Sequence, residues 1–241
     1  MSWQKWISAL LLVPVVGYVV LCLGVYLWGA GALPADRQPN TGALPPSMRA
    51  QFQAIHGVHS DGAVRLNPLT VPWYFFRQSA GTDELRLPAW AGRTLLQRSD
   101  RPVGGTRRVA ADIAATIFVS RAWSIDEQVN TVLNEGFYGR GAHGLPAAAK
   151  AWYGQSPETL WPEEFLALQV LDRGPSFYDP VCYPKRFEER FRFVSAHLNI
   201  PDIDTALARA RERLRAHPSA CNSASAPATT LLPFPVSNQA A

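Results

Sequence analysis

The chain has 241 residues, 47% hydrophobic and only 17% charged, with a net charge of +4. That length allows one well-packed body of roughly 150–200 residues plus appendages. The mild positive charge suits an anionic membrane surface or a phosphate-bearing ligand, and the lack of a dense Lys/Arg run, finger or helix-turn-helix pattern argues against a nucleic-acid partner.

Residues 1–5 carry the amino terminus and Lys5. From Trp6 to Trp28 the run WISALLLVPVVGYVVLCLGVYLW holds no charged side chain. At a rise of about 1.5 Å per residue it crosses a hydrocarbon core of about 30 Å, with a tryptophan at each end where aromatic belts lie. Lys5 precedes the run, and Asp36 and Arg37 cancel after it, which predicts a cytoplasmic N-terminus and an exported body. Ala30-Gly31-Ala32 also fits a signal-peptidase pattern. The apolar run is longer than the usual signal core of about 7–15 residues, so an uncleaved anchor over 6–28 is the expectation.

Residues 29–46, rich in Gly, Ala and Pro, read as a linker. The body is expected over 47–217, and 218–241, a Ser/Ala/Pro/Thr tract, as a disordered tail. Cys22 lies in the membrane run; Cys182 and Cys221 are either a disulfide, which export would permit, or two free thiols.

Within the body the periodicity is helical, predicting a mostly α fold. Trp73-Tyr74-Phe75-Phe76 followed by Arg77 is either core or a lip for the membrane interface. Arg108–Ala122 places Val109, Ile113 and Ile117 on one helical face. Ser124 and Glu127 form a capping box opening the next helix. Gly136 to Gly144 contains four glycines and reads as a tight loop. Further helices are predicted over Leu145–Tyr153, Pro162–Leu171, Lys185–Leu198 and Asp202–His217.

One stretch carries a resemblance. Glu127, Leu133, Asn134, Gly139, Gly144, Leu145, Ala148, Ala149, Trp152, Tyr153 and Gly154 follow the pattern E-x-x-x-x-x-L-N-x-x-x-x-G-x-x-x-x-G-I-x-x-A-A-x-x-Y-F-G. The register continues without a gap through Leu160, Glu164, Leu168 and Leu171 to Pro175, Tyr178, Asp179 and Pro180. This resembles the family 51 glycosyltransferases, the peptidoglycan transglycosylases, and the single anchor is similar to their monofunctional type. The resemblance implies a lysozyme-like α-helical domain behind one transmembrane helix. It also implies single-pass residence in a bacterial inner membrane with the domain periplasmic, and lipid II or nascent glycan as ligand. A peptidoglycan synthase as partner, and a divalent metal at the diphosphate, are further implications.

The family's three N-terminal motifs decay here. In the first, E-D-x-x-F-x-x-H-x-G, Phe52 and Gly57 remain, but Met48 stands at the general-base glutamate and Arg49 at the aspartate. In the second, Thr70 matches and Arg77 keeps the positive charge of the lysine. In the third, R-K-x-x-E, Arg108 matches and Asp112 shortens the carboxylate. The resemblance thus marks Asp112 as catalytic, with Arg108, Arg77, Thr70 and Asn134 as substrate-binding. His56, or its neighbour His59, is the candidate to replace the base. Because methionine accepts no proton, the expectation is a transglycosylase domain impaired in turnover; the alternative is an active enzyme using His56 or another residue.

Overall fold

A computed structural model describes residues 3–42, 44–58, 64–72, 85–99, 103–198, 200–215 and Cys221. Arg77, His59, the aromatic run Trp73–Phe76 and the tail beyond Cys221 lie outside the described residues. Among the described residues nine α-helices run in order: α1 Trp3–Ala30, α2 Pro46–His56, α3 Arg86–Gln97, α4 Gly105–Ala122, α5 Ile125–Glu135, α6 Leu145–Tyr153, α7 Pro162–Asp172, α8 Pro184–Ser195 and α9 Ile203–Glu212. Among the described residues there is no strand, only an isolated bridge between Phe137 and His143. The mostly α expectation is met. The chain divides into two compact units, one of Met1–Gln38 with Asp61–Gln128, the other of Pro39–Ser60 with Val129–Ala241.

In the first unit, α1 is long and apolar enough over Leu12–Ala30 to cross a membrane. Its outward side chains, Leu12, Val13, Val20, Leu21 and Leu27, are exposed. That composition leaves α1 no polar face to offer water. Helix α4 packs against both α1 and α3. The face predicted for α4 is corrected in part: Val109 is 57% exposed, and the helix buries Ala110, Ala111, Ala114 and Ala115 with Ile117, Val119 and Ser120. Small side chains let two helix backbones come close, and here both partners answer with glycine. A Cβ on Gly29 of α1 would collide with the Ala110 carbonyl, and one on Gly92 of α3 would stand 2.9 Å from the Thr116 amide. Ile113 and Ile117 do take part in a hydrophobic cluster, with Leu66, Val71, Val64, Leu85 and Tyr26.

Helix α3 was not read from the sequence, although Leu87, Ala91 and Leu95 recur at the spacing of one helical face and are buried. Just beyond α1, the Trp123 indole donates to the Arg37 carbonyl at 3.1 Å and the Arg37 guanidinium lies 5.7 Å from the Phe118 ring.

The second unit is built round α7, buried without interruption from Glu164 to Leu171. Helices α2, α6, α8 and α9 pack on it. Glu164, with no exposed surface, takes a two-pronged ion pair from Arg213, Nε to Oε1 at 2.7 Å and Nη2 to Oε2 at 2.5 Å. The same carboxylate accepts the Trp161 amide at the start of α7. The Tyr153 hydroxyl donates to the Ala210 carbonyl at 3.0 Å, fixing α6 to α9. Cys182 and Cys221 form a disulfide with their Cα atoms 5.2 Å apart, which decides between the two readings of this pair. In the first unit the Ser124–Glu127 capping box forms as predicted, the Ser124 amide donating to the glutamate at 2.7 Å.

The glycine contacts predict an asymmetry. Gly29→Ala gains helix propensity of about 1 kcal/mol but forces α1 off Ala110, an overpacking cost of about 1–3 kcal/mol. Gly24→Ala meets nothing within 4 Å and keeps the gain. Thermal unfolding in detergent should show the first variant melting below the second.

Candidate functional site

Two of the residues expected to act on a ligand come together. Arg108 and Asp112, one turn apart on α4, form an ion pair at 3.5 Å between Arg108 Nε and Asp112 Oδ1. The Asp112 backbone carbonyl also accepts the Thr116 hydroxyl at 2.6 Å. A third charge comes from a residue the sequence did not mark: the field of Arg93, on α3, also acts on Asp112. Nothing in the local pattern could have found Arg93, because it reaches the site through the packing of α3 on α4.

The balance at Asp112 is decided by burial. Loss of hydration raises the proton affinity of its carboxyl above the usual aspartate range, and the charges of Arg108 and Arg93 offset this only in part. The site therefore combines a carboxyl of raised proton affinity with guanidinium groups able to bind phosphate oxygens.

Thr70 lies in a turn of the same unit, where its hydroxyl donates to the Asn67 carbonyl at 3.3 Å. Met48, His56 and Asn134 belong to the second unit. Met48, Phe52, Ile55 and His56 form the buried face of α2, which packs on α7. The His56 ring lies 4.5 Å from that of Phe52 and is 6% exposed. Met48, at the base position, is equally a core residue. The Asn134 amide donates to the Gly42 carbonyl at 3.1 Å. Its own carbonyl sits so close to Gly144, which has φ of 79°, that any Cβ there would collide. Both of these contacts shape the backbone.

Among the described residues, no three His, Cys, Asp or Glu side chains gather as a metal-binding group. The divalent metal expected from the resemblance finds no such donor set there.

Residues 93–199 match the model of the family described as Transglycosylase. The match takes in Arg93, Arg108, Asp112 and the whole glycine loop, and begins after Met48, His56 and Thr70. The chain is similar to penicillin-binding protein 1A of Mycolicibacterium smegmatis, 34% identical over 38% of this chain and 12% of that protein. It is similar also to penicillin-binding protein 2D of Bacillus subtilis, 33% identical over 31% of this chain and 11% of the relative. A biosynthetic peptidoglycan transglycosylase of Acinetobacter baumannii is 26% identical over 40% of this chain and 43% of its own length. The matched stretch thus spans about a tenth of the first two relatives and less than half of the third.

The environment of Asp112 predicts a pH signature. An aspartate whose folded-state proton affinity is raised binds more protons folded than unfolded. Its contribution to stability therefore falls as pH rises from about 4, the unfolded value, through the higher folded value. Asp112→Asn removes that fall. Urea titrations from pH 4 to pH 8 should show the variant gaining stability relative to the parent as pH increases.

Proposed function

We propose, from the transglycosylase-family domain at residues 93–199, that this chain is a membrane-anchored protein of peptidoglycan synthesis. In this reading it binds lipid II or nascent glycan and is impaired in polymerising it. The observation that carries the impairment is Met48. Glycosyl transfer requires the attacking 4-hydroxyl to lose a proton, and a positioned carboxylate contributes typically about 10²–10⁴-fold to such a step. A thioether accepts no proton, and Met48 is packed in the core with Phe52 and Ile55. His56, buried against Phe52, offers little access to a substrate hydroxyl.

Binding is supported by what persists. Arg108 and Arg93 supply the positive field that a diphosphate leaving group requires, and α1 supplies an apolar helix of spanning length. A ligand carried on a lipid is met at the membrane surface, which gives the anchor a purpose with or without turnover. The Cys182–Cys221 disulfide supports a periplasmic body, because such bonds persist in oxidising compartments. One observation favours the active alternative: the raised proton affinity of Asp112 suits an acid or base.

The test is glycan polymerisation from purified lipid II by the detergent-solubilised protein. The expected result is lipid II binding without polymer, weakened about tenfold or more in Arg108→Ala, as for loss of a charge-assisted contact. Polymer that disappears in Asp112→Ala and His56→Ala would establish the active alternative instead. Met48→Glu should not restore synthesis. A carboxylate placed without a partner in that core costs several kcal/mol, read as a lower urea midpoint.

A further inference from the structure

The disulfide between Cys182 and Cys221 lies at the surface of the second unit, Cys221 exposed and Cys182 half-buried. Its two sulfurs have different surroundings. Cys182 directly precedes Tyr183, the residue that opens α8. No side chain caps that helix, its first turn holds no acid, and Lys185 and Arg186 stand in it, both exposed. Two rings fix the Arg186 guanidinium at the start of α8, 4.9 Å from that of Tyr183 and 4.3 Å from that of Phe177. A third cation arrives from α9, where Arg211 donates to the Pro184 carbonyl at 3.1 Å.

The acids of this region are otherwise engaged or farther off. Asp179 is buried, and its Oδ1 accepts the Val181 and Cys182 amides at 2.8 and 3.1 Å. Glu188 is met by Arg192 at 3.1 Å and by Arg211 at 3.7 Å. Glu189 lies a turn beyond Arg186 and is exposed. A helix N-terminus and nearby cations stabilise a thiolate. A disulfide exchanges fastest when the attacker reaches the open sulfur and the departing sulfur is the better thiolate. Both conditions select the same direction here.

We infer that the Cys182–Cys221 bond is a redox clasp, opened by a dithiol reductant that attacks Cys221 Sγ and expels Cys182 as a thiolate. The attacking thiolate forms a mixed disulfide with Cys221, and the electron pair of the broken S–S bond goes to Cys182 Sγ. The reductant's second thiolate then attacks its own first sulfur, which closes the reductant's disulfide and releases Cys221 as a thiolate. Two electrons pass from the dithiol to the protein, and the two protons the dithiol gives up supply the two cysteines. The bond joins residues 39 apart in sequence, so its loop encloses α8 and α9. Opening it leaves the chain after α9 held by Arg213 on Glu164 and by the Arg215 amide on the Trp152 carbonyl at 2.8 Å. The clasp stands whether or not the chain polymerises glycan.

The full-length protein has three cysteines, so Cys22→Ala leaves only this pair to react. In detergent at pH 7 it is treated with dithiothreitol, and released thiols are followed by alkylation and mass spectrometry. The expected result is reduction without urea, slowed severalfold in Arg186→Gln. Arg186→Lys keeps the charge and should react at close to the parent rate. So should Arg209→Gln, which removes an equal charge from the pair with Glu163 on α9 and α7. A thioredoxin-type reductase lacking its resolving cysteine should be trapped on Cys221, and reduction should lower the urea midpoint. Far-ultraviolet circular dichroism checks that each variant folds. Trapping mainly on Cys182, reduction that begins only in urea, an unchanged midpoint, or Arg186→Gln reacting at the parent rate each overturns the inference.

Discussion

Unit 1 depends on two places where helix backbones meet with no side chain between them. Gly29 of α1 lies on the Ala110 carbonyl, and Gly92 of α3 lies on the backbone at Ala115 and Thr116. Close approach of this kind trades side-chain burial for dense backbone contact, including weak Cα–H to carbonyl attraction. It is the device that helices use where lipid removes the hydrophobic reason to associate. The two contacts also set the chemistry. Ala110 stands between Arg108 and Asp112 on α4, and Gly92 immediately precedes Arg93 in the chain. The contact that needs Gly92 therefore delivers a guanidinium charge to Asp112. The contact that needs Gly29 holds the carboxyl-bearing helix against α1.

The second unit solves a different problem. Its central helix is buried from Glu164 to Leu171, and Glu164, a charged residue with no exposed surface, is placed at the first turn, where it also accepts the Trp161 amide. Burying a carboxylate is tolerable only when its oxygens are fully used. Arg213 uses both of them and stacks over the Trp161 ring at 3.8 Å. The pair ties the segment after α9 to the heart of the unit, and the disulfide from Cys182 to Cys221 closes the same end covalently. The region that matches the transglycosylase family so extends into a body held from its C-terminal side.

The two units differ in how far their expected site residues keep a free functional group. On α4 the Asp112 carboxyl and the Arg108 guanidinium remain partly exposed, at 32% and 50%. On α2, Met48 is part of the buried face, and His56 stacks on Phe52 within the same core. The Met48 side chain offers no proton acceptor and adds to the surface that α2 buries. Thr70 and Asn134, marked by resemblance as ligand contacts, spend polar groups on backbone carbonyls, Thr70 on Asn67 of its own turn and Asn134 on Gly42.

Much of this was legible in the amino-acid order. A charge-free run of spanning length can only be a long apolar helix, and the Ser124–Glu127 pair and the glycines around Gly144 specify local geometry whatever surrounds them. The helices from Leu145 onward follow from periodicity and from proline at their first turns, because these effects act within a few residues. The face of α4 was misjudged at Val109 because counting large side chains assumes that bulk is what gets buried. Only the tertiary structure decided that alanines would be, since the partners Gly29 and Gly92 lie 81 and 18 residues away from Ala110 in the chain. For the same reason Arg93 and the hydrogen bond from the Tyr18 hydroxyl to the Leu69 carbonyl could not be read from the sequence. Each is a meeting of segments whose separation in the chain leaves no periodic trace, and packing alone brings them within reach.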